Sequence, residues 1–357
     1  MISLKNSFIL LFSLFMLSCN SDNNNEDIAE NTAKNTTEEL DPNSLEAIEQ
    51  FIIENPESPN GYSRRAYYYS QNLEMKKAIE DINRALAITP DVASLNFTKA
   101  EMLFNQAGLE RNPLLYDQSE IYLDNTLKLD STYVDAYILK AKINILKDAK
   151  EKAIGELSQA IKLSPTLSEP YFLKGLIYLD MGNLQLAQSS YQTALEMDGQ
   201  SYDANAGLGY VYYLDTNATG LIYFDAAHEL NPKAVEPLRN KGLLLINLGR
   251  PEEAIESFEQ VLEIDSTFAE AHYNIGVCYV NSYRDDFEQA KKDSIVNEAI
   301  RHFDLATKIE PKYAIAWYNL GHSYEFIGDK KRALECYKKA IDIDPDFELV
   351  NEALRRF

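Results

Sequence analysis

Large apolar residues and small residues recur along the chain in a pattern that returns after 34 residues. The clearest copy spans 314–347, and its members are Trp317, Leu320, Gly321, Tyr324, Ala333, Tyr337 and Ala340. Their spacings of three, four and seven residues place each group on one face of an α-helix. Gly328 separates the first group from the second, and Pro345 follows the last member. Each copy therefore predicts two amphipathic helices that are joined by a tight turn and closed by a proline.

The pattern occurs in eight consecutive repeats, and positions are counted here from the first residue of each. The repeats are 59–92, 93–133, 134–167, 168–201, 202–234, 235–268, 269–313 and 314–347. The second and seventh repeats hold about seven and about eleven extra residues, and the fifth lacks one. The flanking segments 44–58 and 348–357 are predicted to be helices that cap the first and last apolar faces.

This repeat resembles the tetratricopeptide repeat in the order of its large, small and proline positions. Small residues at positions 8, 20 and 27 let two helices approach closely, and large residues at positions 4, 7, 11 and 24 fill the space between them. The resemblance implies an all-α fold, a right-handed superhelical solenoid of antiparallel helix-turn-helix repeats. We expect the eight repeats to stack into one array rather than into independent domains.

Positions 2, 5, 9 and 12 form a second face of the first helix in each repeat. In tetratricopeptide proteins this face lines the concave groove that holds a partner peptide or protein, and here it is unusually apolar and aromatic. The partner-binding candidates are Phe97, Glu101, Phe104, Phe172, Tyr210, Tyr213, Arg239, Tyr273, Tyr318 and His322. Aromatic side chains suit interface hot spots, and exposed apolar patches usually mark binding surfaces. Alternatively, tight winding of the solenoid or the long insertions cover much of this face.

Acidic residues occupy position 2 in five successive repeats, at Asp135, Glu169, Asp203, Glu236 and Glu270. They predict an acidic stripe for a basic ligand, although the first turn of any helix favours carboxylates through the helix dipole. Some chaperone-type relatives hold a C-terminal carboxylate with a Lys/Asn clamp, which position 5 lacks here. The insertion in 269–313 adds Tyr283, Arg284 and Phe287 as candidates at one edge.

The first eighteen residues have the parts of a secretory signal peptide: one lysine, an apolar run from Phe8 to Leu17, and a small residue. The sequence Met16-Leu17-Ser18-Cys19 resembles a bacterial lipobox, which implies cleavage before Cys19 and lipidation of that cysteine. The alternative is an ordinary signal peptide with an incidental cysteine. Segment 19–43 is polar, acidic and without aromatic residues, so it is expected to be a disordered tether.

The net charge of −22 at pH 7 argues against nucleic acid as a partner, because the chain repels phosphate backbones. Three cysteines, Cys19, Cys278 and Cys336, cannot form a disulfide framework. His322 and Glu325 have a spacing that suits a metal or an acid–base pair, but two polar residues on a solvated helix face are the favoured interpretation. No common catalytic or phosphate-binding motif occurs, so we expect no enzyme activity, no cofactor and no metal.

Three short sequences resemble the O-glycosylation sequence of Bacteroidota secreted proteins. They are Asp130-Ser131-Thr132, Asp265-Ser266-Thr267 and Asp293-Ser294-Ile295. A serine helix cap explains the first two equally well.

Together these features predict a non-catalytic, lipid-anchored scaffold of the bacterial cell envelope, similar to adaptor lipoproteins. Its expected location is the outer membrane, on the periplasmic side or the cell surface. Its expected partners are other envelope proteins or peptides. The alternative is a glycan-binding or small-ligand-binding envelope lipoprotein, since aromatic rings along a groove also stack on sugars.

Overall fold

The structure is a computed structural model that describes residues 44–357. The described residues form helices α1 to α18, with these bounds: Leu45–Glu54, Pro59–Gln71, Met75–Ile88, Ala93–Glu110, Leu114–Leu129, Val134–Leu146, Lys150–Leu163, Ser168–Asp180, Leu184–Met197, Tyr202–Leu214, Gly220–Leu230, Glu236–Asn247, Pro251–Ile264, Ala269–Asn281, Gln289–Ile309, Ala314–Phe326, Lys330–Ile343 and Glu348–Leu354. None of the helices in 44–357 is both long and apolar enough to cross a bilayer. The predicted signal peptide, tether and lipidation at Cys19 lie outside the described residues.

The predicted all-α fold of paired helices is confirmed. From α2 onward the helices pack in pairs, so that α2 lies against α3 and α4 against α5, and the order continues to α16 and α17. Short turns join the partners, which therefore run antiparallel. The small residues at positions 20 and 27 lie inside each pair, as Ala78 and Ala85 do without any exposed surface.

One small side chain at position 8 faces one large side chain at position 24 in each pair. In the first three repeats an alanine faces an aliphatic residue, as Ala66 faces Ile82 within one buried cluster. In the last five repeats a glycine faces an aromatic ring, as Gly175 faces Tyr191. A Cβ atom built on Gly175 would lie 2.6 Å from the Tyr191 ring, so only glycine fits against it.

The turn between paired helices uses a left-handed residue at position 15. Glycine takes this conformation in three repeats, where Gly182, Gly249 and Gly328 have φ angles of 74°, 71° and 81°. Residues with a Cβ take it in three others, where Leu73, Asp148 and Thr216 have φ angles of 59°, 56° and 52°. The left-handed conformation is costly for these side chains, most of all for the β-branched Thr216.

Consecutive repeats are joined by a recurring hydrogen bond from position 4 to the carbonyl at position 32 of the preceding repeat. Asn96 donates to the Pro90 carbonyl at 3.0 Å, and the Trp317 Nε1–H donates to the Pro311 carbonyl at 3.0 Å. Asn351 repeats this bond to the Pro345 carbonyl, which places α18 against the last pair as a further first helix would lie.

The chain divides into two compact units, one ending at Thr166 and the other beginning at Leu167. The first unit contains α1 to α7 and the alanine–aliphatic pairs, whereas the second contains α8 to α18 and the glycine–aromatic pairs. The prediction of one continuous array stays a prediction.

Candidate partner-binding face

We call the side chains at positions 2, 5, 9 and 12 of the first helix in each repeat the groove face. In the first unit it includes Phe97, Glu101 and Phe104 on α4. The Phe97 ring centroid lies 4.9 Å from that of Tyr133, and the Phe104 ring centroid lies 5.4 Å from that of Tyr116. Both phenylalanines are half-buried, so each ring presents one side to a neighbour and keeps another side accessible.

Glu101 lies between these two rings along α4 and is exposed. Neighbouring protein nevertheless displaces enough water to raise the pKa of its carboxyl group, an effect that Lys142 opposes and Asp135 adds to. Burial and the carboxylates of Asp135, Glu101 and Asp130 raise the pKa of Tyr133 to about 12. This part of the face therefore combines aromatic rings with a negative potential.

In the second unit, two aromatic side chains at position 5 contact the last residue of their own repeat. The Tyr273 ring centroid lies 5.1 Å from that of Tyr313, and the Tyr318 ring centroid lies 5.5 Å from that of Phe347. The hydroxyl oxygen of Tyr273 also accepts a hydrogen bond from Asn319 at 3.2 Å. Both half-buried rings thus pack against the end of their own repeat while they line the face, and the bond from Asn319 joins Tyr273 to the next repeat.

Arg239, also at position 5, joins its repeat to the next one through charge. Its Nε and Nη2 donate to the two carboxylate oxygens of Glu270 on the next repeat, at 2.9 and 2.6 Å. Burial alone would lower the pKa of Arg239, but the hydrogen bonds and the charge of Glu270, with Tyr213 and Tyr210 nearby, raise it. The arginine is therefore held in place as a charged group.

Phe172, Tyr210 and Tyr213 are half-buried aromatic residues on α8 and α10. The ring centroids of Tyr210 and Tyr213 lie 5.6 Å apart, and that of Phe172 lies 5.9 Å from that of Tyr191. Tyr191 is fully buried, so Phe172 rests on the core, whereas the two tyrosines contact each other.

Family comparisons agree with the repeat pattern. A model described as the tetratricopeptide repeat matches residues 168–201 and, in a second version, residues 314–347. A further model described as the TPR repeat matches residues 242–282. The chain contains tetratricopeptide repeats. Solenoids of this type bind partners on extended concave surfaces, so the repeats imply a protein–protein interaction scaffold.

Curated proteins with similar sequences match only in part. The DnaJ homolog subfamily C member 7 homolog of Schizosaccharomyces pombe is 26% identical over 238 residues, which cover 58% of this chain and 49% of that protein. The human DnaJ homolog subfamily C member 7 is 25% identical over 247 residues, which cover 65% of this chain and 50% of that protein. The chain thus spans about half the length of the curated relatives it matches.

A solved structure of PilF from Pseudomonas aeruginosa matches with a TM-score of 0.50 and 17% identity. The match covers 64% of this chain and 99% of that one. At this identity the likeness supports the tetratricopeptide fold alone.

The reactive side chains of the last tetratricopeptide repeat have structural roles. The Glu325 carboxylate accepts hydrogen bonds from the Tyr337 hydroxyl at 2.6 Å and from Arg356 at 2.8 and 3.1 Å. The bonds from Arg356 lower the pKa of Glu325 most, while His322 lies exposed one turn earlier on α16. Within residues 44–357 no group of three or more histidine, cysteine or acidic side chains is arranged to hold a metal.

Both described cysteines are buried in the packing of the repeats. Burial raises the pKa of Cys278 and of Cys336 to about 12, so neither thiol ionises near neutral pH.

The helix-cap interpretation of the Asp-Ser-Thr sequences needs one correction. No side chain caps the helices that follow, whose N-cap residues are Tyr133 and Phe268. Instead, the Asp130 carboxylate accepts from the backbone N–H and the hydroxyl of Thr132 at 2.9 and 2.7 Å. Asp265 and Thr267 repeat both bonds. Each aspartate thus closes an Asx-turn at the end of the preceding helix, where Asp130 and Asp265 are the C-cap residues. Glycosylation stays a prediction, and the third sequence, 293–295, lies inside α15.

The edge candidates of the insertion lie between α14 and α15. The Tyr283 ring packs edge-on against Phe326, with centroids 5.1 Å apart, and Arg284 pairs with Asp286 at 3.0 Å. Lys291 lies over the Phe287 ring, 3.7 Å from its centroid.

The candidates predicted from the sequence did not include three aromatic residues that pack against the groove face from the end of the same repeat, namely Tyr133, Tyr313 and Phe347. Each immediately precedes a first helix, at the end of a repeat. The signal that could have revealed them is an aromatic residue at this place in four repeats, since Phe268 also occupies it.

Proposed function

We propose that this protein is a non-catalytic scaffold that binds partner proteins or peptides of the bacterial cell envelope through its groove face. Support comes mainly from one observation: the first helices carry half-buried aromatic rings together with carboxylates. On α10, for example, Tyr210 and Tyr213 lie beside each other and Asp203 lies at the start of the same helix. Half-buried rings lose little entropy on binding and offer apolar area to a partner.

The proposal also includes a lipid on Cys19 that anchors the chain in the outer membrane. It rests on the lipobox-like sequence 16–19 and on the polar segment that follows it. Metabolic labelling with an alkyne fatty acid tests it: the wild-type protein should carry the label, and Cys19→Ser should not. Equal labelling of both proteins would contradict lipidation at this cysteine.

Binding by the groove face is tested by cross-linking in the source cells, affinity purification and mass spectrometry. The test variant is Tyr210→Ser/Tyr213→Ser, which spares Phe172 because that ring rests on the buried Tyr191. The matched control is Leu186→Ser/Ile222→Ser, which removes two exposed apolar side chains from second helices.

We expect a small set of envelope proteins that is recovered with the wild type and the control but lost with the test variant. Circular dichroism melting should show that all three proteins are folded. Equal recovery with a folded test variant would contradict binding by this face. Recovery of no envelope protein by the wild type would contradict the scaffold itself and favour the glycan-binding alternative.

A further inference from the structure

On the groove face, Arg239 and Glu270 form a bidentate ion pair between two consecutive repeats. This pair shows how a carboxylate at position 2 can hold a guanidinium group. Arg239 occupies position 5 of the repeat 235–268, and Glu270 occupies position 2 of the next repeat. The planar guanidinium group meets both carboxylate oxygens, which is the strongest geometry that an arginine makes with a carboxylate.

One repeat earlier, position 2 again holds a glutamate, but position 5 holds alanine instead of arginine. Position 2 holds Glu236, whereas position 5 of the repeat 202–234 holds Ala206, and Gly207 follows it. No salt bridge or side-chain hydrogen bond joins Glu236 to any residue in the part of the chain that the structure describes. Helix α10 thus presents two of the smallest residues where the next repeat places a guanidinium group.

The surroundings of this place are negative and aromatic. Burial and then Glu169 raise the pKa of Asp203, and burial, Glu236 and Asp203 together raise the pKa of Tyr202. In both effects neighbouring carboxylates add to the negative potential at this place. Tyr210, which faces Tyr213 and helps to raise the pKa of Arg239, borders the same place.

A buried hydroxyl without a partner lies beside it. The Tyr191 side chain is fully buried, and its hydroxyl oxygen has no hydrogen-bond partner among the described residues. The Tyr191 Cζ atom, which carries this hydroxyl, would lie 2.7 Å from a Cβ built on Gly207 and is the atom nearest to that Cβ. The hydroxyl end of the ring therefore points toward α10. An unsatisfied buried hydroxyl is costly, and it adds a neutral polar group beside the carboxylates.

We propose that the arginine site, defined by Ala206, Glu236 and Asp203 with Tyr210 at its border, binds an arginine side chain of a partner peptide. The guanidinium group forms with Glu236 the bidentate pair that Arg239 forms with Glu270. The inference rests on the proposed function and assigns the partner's chemistry. Arginine fits better than lysine, because its planar fork matches a carboxylate and stacks on aromatic rings.

The test measures binding of three peptides by fluorescence anisotropy. The peptides share the sequence Gly-Ser-Phe-Ala-Xaa-Ala-Phe-Ser-Gly, carry a neutral dye and an amidated C-terminus, and contain arginine, lysine or citrulline at Xaa. Citrulline keeps the shape of arginine without its charge. We expect the arginine peptide to bind about tenfold more tightly than the citrulline peptide, since a hydrogen-bonded charge contributes on that scale.

Four variants locate the binding. Glu236→Gln should weaken binding of the arginine peptide about tenfold. The matched control is Glu229→Gln, which makes the same charge change at an exposed residue of α11 and should change the affinity less than about twofold. Ala206→Arg should place an internal arginine on Glu236 and abolish binding without lowering the melting temperature. Arg239→Ala should leave Glu270 without its arginine, so that a second arginine peptide binds there.

Equal affinity for the arginine and citrulline peptides, or equal losses in Glu236→Gln and Glu229→Gln, would overturn the inference. So would a folded Ala206→Arg variant that binds like the wild type. The proposed function is judged separately. If Glu236→Gln still captures the cellular partners that Tyr210→Ser/Tyr213→Ser loses, the scaffold stands and the arginine site fails.

Discussion

At the scale of single residues, the packing inside each repeat depends on the match between position 8 and position 24. Gly175 lies against the buried Tyr191 ring, and Gly207 of the next repeat lies against the same ring. The ring is therefore enclosed on both sides and cannot move aside for an added methyl group. Buried aromatic rings of this kind tolerate overpacking poorly.

Replacing Gly175 by alanine should therefore destabilise the second unit by about 1–3 kcal/mol, as overpacking does. The same change should cost much less in a Tyr191→Leu background, which recreates the pair of Ala141 and Leu157 found in the repeat 134–167. Urea unfolding followed by circular dichroism measures both free energies, and the difference between them is the coupling.

The matched control is Gly155→Ala on α7, where a Cβ would meet nothing within 4 Å. It should stabilise the protein by about 0.5–1 kcal/mol, because alanine favours a helix over glycine. Equal costs of Gly175→Ala with tyrosine and with leucine at 191 would disprove the size match.

A second residue-scale feature is the histidine pair between α14 and α15. The Nδ1 atoms of His272 and His302 lie 3.1 Å apart, and Arg301 donates to Nε2 of His302 at 2.6 Å. Since Nε2 of His302 accepts that bond, its Nδ1 carries the proton and donates to His272. Burial, then Arg301 and His272, lower the pKa of His302 to about 3, and burial and Arg301 also lower the pKa of His272.

This pair should make the second unit sensitive to acid. The pKa of His302 is lower in the folded than in the unfolded chain, so its contribution to stability is complete above about pH 6.5 and is lost as the pH falls toward 3. By pH 5 the loss should be about 2 kcal/mol.

The checking measurement is the melting temperature at pH 7.5 and pH 5. His302→Leu should reduce the difference between the two temperatures, whereas His322→Gln, a change at an exposed histidine, should leave it unaltered. An undiminished difference in His302→Leu would contradict the role of the pair.

At the scale of elements, the turns between paired helices require a left-handed residue, and several of them lack the glycine that suits this conformation best. Position 15 takes the left-handed conformation in six repeats, but only Gly182, Gly249 and Gly328 suit it. The other three turns have the same geometry because the helix pairs on either side fix it.

Thr216→Gly should consequently raise the free energy of unfolding by about 1 kcal/mol, since glycine removes the cost of a left-handed β-branched residue. The reverse change, Gly249→Thr, should lower it by a similar amount. Thermal unfolding of both variants checks the pair of predictions, and a destabilised Thr216→Gly would show that the threonine side chain contributes more than its backbone costs.

The helices were predictable because their apolar spacing repeats eight times, and repetition removes the ambiguity of a single pattern. The form of the insertions was not predictable. In the second repeat the extra residues lengthen both helices, to 18 and 16 residues, and in the seventh they lengthen α15 to 21 residues. Helical spacing shows that a segment is amphipathic, but it does not show where a long helix ends without caps.

The groove face was predictable only in outline for a related reason. Spacing places Tyr273 and Tyr318 on one face of their helices, but the residues that cover them, Tyr313 and Phe347, lie at the far end of the same repeat. Contacts between the first helix and the end of its repeat depend on how the helices pack, which the spacing along one helix does not contain. The repeat frame likewise places Ala206 and Arg239 at the same position, but only the structure shows that Arg239 pairs with Glu270.

At the scale of the whole molecule, charge and repetition combine. The net charge of −22 favours encounter with basic partners over long distances, and the groove face adds carboxylates among aromatic rings. The proposed anchor at Cys19 would hold this acidic surface near a membrane, joined to it by the polar segment 20–43. Such a chain suits recruitment of basic segments of envelope proteins.

Site-specific photo-cross-linking in the source cells tests the central claim most directly. Benzoylphenylalanine replaces one residue at a time: Tyr213 on the groove face, and Ile222 on α11, an apolar side chain that is 68% exposed. The account predicts a discrete cross-linked partner from position 213 and none from position 222. Equal cross-linking from both positions, or partners from position 222 alone, would contradict binding by the groove face.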